Sequence, residues 1–178
     1  MFLKRFLGGA AGAAGAVAVE FAIIAPVMIV LYFGLAEVTQ AMMAERRVAH
    51  TGSVVGDLVA QSSALTPADI SDFFLVGTTI VAPFPTAPLS MRVTSITADA
   101  NDVAKVDWSQ ASNMTPMAKG TVVTPPATAL VANASVIEAD VTYVYTSPVS
   151  YVLPAPLTFT NTYYLQPRIS TQVTCAAC

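Results

Sequence analysis

Charge is scarce in this chain. Of its 178 residues, 11% are Asp, Glu, Lys or Arg, against roughly a quarter in an ordinary soluble domain. Eight Lys plus Arg stand against eleven Asp plus Glu, for a formal charge of −3. The positive residues form no cluster larger than Arg46-Arg47. Without a basic patch, nucleic acid is not an expected partner. Histidine is nearly absent: His50 is the only one. It falls four residues after Arg46 on the polar side of a helical pattern, so a solvated role is expected. Cysteine is limited to Cys175 and Cys178. One histidine and two cysteines cannot complete a four-ligand zinc site within one chain, so no metal is expected. The C-x-x-C spacing stands at the end of the sequence, whereas a redox pair starts a helix in an α/β fold. A disulfide, within or between chains, suits the pair if this part of the protein reaches an oxidising compartment. Also missing are a Gly-rich phosphate loop with its lysine, a nucleophile elbow and an evident acid/base pair of carboxylates. Neither an enzyme nor a bound cofactor is expected.

Apolar residues, in contrast, make up 54% of the chain, and they are concentrated near its start. From Leu7 to Val38 the only charges are Glu20 and Glu37, and Phe21 to Ala36 is uninterrupted. With its flanks this run exceeds the ~20 residues that span a bilayer, which predicts a transmembrane helix over 16–38. Lys4 and Arg5 precede it, and the first residues after it are acidic or neutral. The positive-inside rule therefore puts the N-terminus in the cytoplasm and everything beyond about Thr39 outside. Pro26 is expected to bend the helix without ending it. Ala41, Ala44, Val48, Thr51, Val55, Leu58 and Val59 then recur at three- and four-residue steps. This stripe predicts an amphipathic extension over 39–63. The polar stretch "SSALTPADI", with Pro67, is expected to break it.

Beyond Ile70 the composition changes to short segments rich in Val, Thr, Ile and Tyr, separated by Pro, Asn, Asp and Gly. The segments predict an antiparallel β domain over 70–178. "SMRVTSITAD" and "VAKVDWSQ" flank "ANDV" as a hairpin. "SVIEADVTYVYTS" alternates as a strand with one wet face, and "LTFTNTYYLQPRIS" completes at least four strands. Ser112 to Ala134, with three prolines, reads as a surface loop. Trp108, Tyr143, Tyr145, Tyr151, Tyr163 and Tyr164 are expected to pack on the faces of the sheet. The fold class is therefore α+β, one long N-terminal helix packed on a small antiparallel sheet.

Glu20 needs explaining, because a carboxylate within an apolar span is costly, about 2.5–3.5 kcal/mol on insertion scales at mid-bilayer. It stands five residues after Gly15 and directly before Phe21, behind the basic residues Lys4 and Arg5. In this arrangement, "G|AVAVEF", the sequence resembles the TadE-like proteins of the tight-adherence (Flp) pilus machinery, relatives of type IV prepilins. Looser similarity extends through "RVTSITADANDVAKVDWSQAS", "MAKGTVV", "VIEADVTYVYTSPV" and "RISTQVTC". The resemblance implies a pilin-like fold and a leader over 1–15, cut by a prepilin peptidase between Gly15 and Ala16. It further implies a minor pilin or pseudopilin in the bacterial inner membrane, its outer domain periplasmic, with a surface pilus as an alternative location. Its partners would be the peptidase, other pilins or pseudopilins and the assembly platform. Cleavage would free an α-amine on Ala16, and pairing of that amine with Glu20 of a neighbouring subunit would set the stagger between helices.

Three other readings compete. Glu20 is an interfacial residue if the chain is a single-pass anchor for an extracytoplasmic binding domain outside any filament. The small residues of "GGAAGAAGA" suit a helix-dimerisation face. The basic start and "AGA" suit ordinary signal cleavage, although the strongest apolar run lies after that point.

Overall fold

The computed structural model describes the backbone from Leu3 to Cys178 and side chains from Gly15 onward. Lys4, Arg5 and most of the small-residue stretch Gly8–Ala16 therefore lie outside the described side chains. Helix α1 runs over Leu3–Ala60 and continues through Pro26. The chain forms two compact units. One contains α1 up to Gln40 together with Ser147–Ala155, and the other contains Ala41–Thr146 and Pro156–Cys178.

The second unit is built on the amphipathic part of α1. Ala41, Ala44, Val48, Thr51, Val55 and Val59 are buried, and His50 is exposed. The stripe thus turns inward as its spacing predicts. It meets an antiparallel sheet of five strands: β2 (Leu89–Ala98), β3 (Ala104–Ser112), β4 (Val122–Val123), β5 (Ser135–Tyr145) and β6 (Leu157–Leu165), in the order β4-β3-β2-β5-β6. The β2–β3 hairpin carries a register shift between Ser95 and Ile96. A separate two-residue parallel pair joins β1 (Ala64–Leu65) to β7 (Thr174–Cys175).

Two glycines allow α1 to approach the sheet closely. A Cβ at Gly52 would lie 2.8 Å from Val141 and 2.9 Å from Tyr163, and one at Gly56 would lie 2.6 Å from Leu165 and 2.9 Å from Ala139. Such distances are below any ordinary carbon contact, so a side chain at either position would push helix and sheet apart.

The structure corrects the expectation that Pro67 only ends a helix and that strands begin after Ile70. Helix α2 spans Pro67–Val81. Thr66 is its N-cap: the Thr66 hydroxyl accepts from the Asp69 amide, and the Asp69 carboxylate accepts from the Thr66 amide. Pro67 occupies the first helical turn, where its missing N–H costs nothing. Ile70, Phe74, Gly77 and Val81 form the buried stripe. At its far end, Arg47 of α1 donates to the carbonyls of Ile80, at 3.0 Å, and Ala82. It thereby places a cation on the helix C-terminus, where the Val81 carbonyl also accepts from the Phe84 amide.

The C-terminal segment closes the end of α1. The Arg168 amide donates to the Ala60 carbonyl at 2.9 Å, its guanidinium meets Asp57 at 2.5 Å, and Trp108 Nε1 donates to the Val173 carbonyl at 2.8 Å. Trp108, Tyr143 and Tyr145 are buried, but Tyr151, also expected on the sheet, lies in a loop and is 64% exposed.

Because helix and sheet meet through Gly56, Gly56→Val should lower stability by about 1–3 kcal/mol through overpacking. Thermal unfolding of detergent-solubilised protein, followed by circular dichroism, should show the loss. Gly15→Ala, at a helical position with no atom within 4 Å of an added Cβ, should not lower stability.

Candidate functional site

In the first unit the apolar side chains of α1 face outward. Val17, Phe21, Ile23, Val27, Leu31, Tyr32 and Leu35 are all exposed. Water-soluble monomers rarely leave so long an apolar surface uncovered. The helix is long and apolar enough to cross a membrane, and none of its most apolar stretch is buried within the molecule.

Gly15, Ala16, Glu20 and Phe21 lie at the start of this surface, all exposed, with open space where a Gly15 side chain would stand. Ala16 and Glu20 are four residues apart and so share one face of the helix. No described residue forms an ion pair with Glu20.

Glu37, the second charge of the run, had no role in the sequence reading, yet it has the most partners. It is 2% exposed. Its Oε1 accepts from the Tyr151 amide at 2.7 Å, and its Oε2 accepts from the amides of Val152 and Leu153 at 2.9 and 2.8 Å. The Ser147 hydroxyl donates to the same carboxylate. Ser150, with φ +53°, turns the chain so that three successive N–H groups converge on one anion. Next to it, a Cβ on Gly34 would come within 3.0 Å of Val152. These hydrogen bonds from the loop Ser147–Ala155 to α1 thus converge on one side chain. The only sequence signal is a carboxylate without a local partner, since its amide donors lie 114 to 116 residues further on.

In the second unit, Cys175 and Cys178 are bonded to each other, with their Cα atoms 5.6 Å apart. Among the described residues no cluster of His, Cys, Asp and Glu is suited to a metal ion. One face of the sheet does gather charge. Arg92 of β2 donates through Nε and Nη2 to Asp140 of β5, at 3.1 and 2.6 Å, and Thr162 of β6 donates to the same carboxylate at 2.6 Å. Glu138, two residues before Asp140 and therefore on the same face, lies opposite Tyr164 of β6. Burial and the charge of Asp140 push the Glu138 carboxyl up, against the opposing hydrogen bond from Tyr164. Burial, together with the charge of Glu138, pushes the Tyr164 hydroxyl up to about 12. These groups bond to one another across strands and serve to hold the sheet together.

A raised Glu138 binds its proton more tightly in the folded than in the unfolded chain. Its contribution to stability is complete below the ordinary carboxylate range and is lost as pH rises through the folded pKa. Glu138→Gln, permanently neutral, should therefore raise the thermal midpoint over the parent at about pH 7, with the two converging at about pH 4. A deficit at both pH values would mean that the carboxylate itself is needed for the fold.

Comparison with curated proteins and with solved structures finds no match. Comparison with protein families does: residues 15–54 match the family model described as TadE-like protein. The matched stretch begins at Gly15, includes Glu20, Phe21, Pro26 and Glu37, and ends at Val54, within the amphipathic part of α1. Over this helical segment, and over it alone, the chain is similar to the TadE-like proteins.

Proposed function

We propose that the chain is a minor pilin or pseudopilin, cut by a prepilin peptidase between Gly15 and Ala16, that acts in assembly or initiation of a tight-adherence pilus. The observation that carries this reading is the placement of Gly15, Glu20 and Phe21 at the exposed start of a long apolar helix. That the family match opens at Gly15, the residue on the leader side of the cut, and runs on through Glu20 and Phe21 supports it. An exposed glycine suits a peptidase that must reach an unobstructed backbone.

In this reading the N-terminus starts in the cytoplasm of a bacterial cell. Helix 16–38 spans the inner membrane, and the β domain, with its Cys175–Cys178 bond, lies in the periplasm. The partners are the peptidase, other pilins or pseudopilins and the assembly platform. Glu20 fixes register: its carboxylate pairs with the Ala16 amine of a neighbouring subunit. A misplaced neighbour leaves both charges buried and unpaired, which is strongly unfavourable. The role is assembly and not catalysis.

Mass spectrometry of protein from cells that possess the peptidase should give a mature chain beginning at Ala16. An intact Met1 would reject the processing step, and a start elsewhere would favour ordinary signal cleavage.

Glu20→Gln should leave membrane abundance unchanged or increased, since it removes a charge that costs up to ~3 kcal/mol in the apolar segment. Piliation and cross-linking to other pilus components should nevertheless be lost. Normal pili from this variant would reject the register role and return Glu20 to an interfacial residue of a single-pass anchor.

A further inference from the structure

The loop Ser147–Ala155 breaks a rule of soluble surfaces: Val149, Tyr151 and Val152 are 52%, 64% and 44% exposed. They are not isolated. Val149 and Tyr151 join Ile29, Val30 and Phe33 of α1 in lining an apolar groove of about 320 Å³, and Val152 packs on Gly34. All of this lies within the first unit. We propose that this loop is a second membrane-inserted element, which dips into the lipid leaflet on the C-terminal side of the span and is held there by Glu37. The inference rests on the reading of α1 as a membrane-spanning helix.

Depth supports the assignment. At 1.5 Å per residue, the twenty residues from Gly15 to Gly34 cover about 30 Å, the thickness of the hydrocarbon core. The α1 residues that the loop touches, Ile29 to Gly34, are the last turns of that distance. The loop therefore meets the helix where acyl chains give way to head groups. Tyr32 and Tyr151, both strongly exposed, lie at this same level, where tyrosine rings are favoured because one end is apolar and the other polar.

Glu37 makes the insertion chemically possible. Irregular backbone does not survive at membrane depth unless its N–H groups are bonded within the protein, because lipid offers no acceptor. Three successive amides of the loop, those of Tyr151, Val152 and Leu153, donate to Glu37, and the Ser150 amide donates to Ser147 Oγ. The carboxylate gains as much as the amides, since three amides and the Ser147 hydroxyl replace its lost water. With these amides turned toward Glu37 and Ser147, the loop presents Val149, Tyr151 and Val152 outward. Lipid is the occupant that this argument selects, because the groove continues the exposed apolar face of α1 without a polar rim.

The experiment uses the full-length chain in phosphatidylcholine vesicles that carry spin-labelled phosphatidylcholine. An environment-sensitive fluorophore is attached without reductant, so that Cys175 and Cys178 stay bonded, to one of three variants: Ile29→Cys, Val149→Cys or Val131→Cys. Lipid spin labels should quench the fluorophore at positions 29 and 149 but not at 131, an exposed site of the second unit. Quenching at 29 without quenching at 149 overturns the loop insertion and leaves the spanning helix intact, and a cross-link from 149 to a second copy would then name a protein occupant. Absence of quenching at both positions rejects the spanning helix, and the loop inference with it. Adding Glu37→Gln to the Val149→Cys variant should abolish quenching at 149 while sparing position 29 in the matching pair, because a carboxamide cannot accept three amides as the carboxylate does. Persistent quenching would reject Glu37 as the anchor.

Discussion

One helix has to satisfy two different surroundings, and the rest of the molecule follows from that constraint. Over its first part α1 turns large apolar side chains outward, and over its second part it presents a stripe of small and β-branched residues. Gly52 and Gly56 are the extreme of that change. With no Cβ, they bring the helix backbone against Val141, Tyr163, Ala139 and Leu165. The strands they touch, β5 and β6, are the long antiparallel pair whose far ends connect through the loop Ser147–Ala155. A bulkier residue at either glycine would disturb helix and sheet together.

Burial of charge in this chain follows one principle applied in three ways. Asp140 is matched by Arg92 and Thr162 within the sheet. Glu138 accepts from Tyr164, and its burial beside Asp140 pushes its carboxyl up in spite of that bond. Glu37 is satisfied by backbone amides alone, apart from one hydroxyl. Each arrangement supplies the hydrogen bonds that a desolvated carboxylate needs. Glu20 differs: it is exposed on an apolar helix and has no partner among the described residues. A carboxylate on a surface of that kind calls for a partner from outside the chain, which is why the proposed function centres on it.

The second helix shows how tertiary packing and local signals divide the work. Its composition, with Ile, Phe, Val and two Thr, favours strand as much as helix. Its start was nonetheless written in four residues, Thr66 to Asp69: an N-cap, a proline suited to the first turn and an acidic residue that bonds back. Pro67 reads equally as a breaker, because proline ends one helix and begins another by the same missing N–H. Once the cap is recognised, the spacing of Ile70, Phe74, Gly77 and Val81 identifies the buried face.

Local and periodic features were legible in the sequence alone. The apolar run, the stripe from Ala41 to Val59, the β2–β3 hairpin and the Gly15–Glu20–Phe21 motif all lie within short windows, where side-chain spacing follows directly from 3.6- and 2-residue periods. Tertiary structure decided what depends on residues far apart. Glu37 meets amides more than a hundred positions away, and Glu138 binds its proton more tightly than a free carboxyl because the folded sheet buries it. Tyr151 looks like a strand residue by composition, but the turn at Ser150 and the pull of one carboxylate place it in the loop. No periodicity reports such contacts, because a hydrogen bond between distant segments leaves no repeat in the chain that makes it.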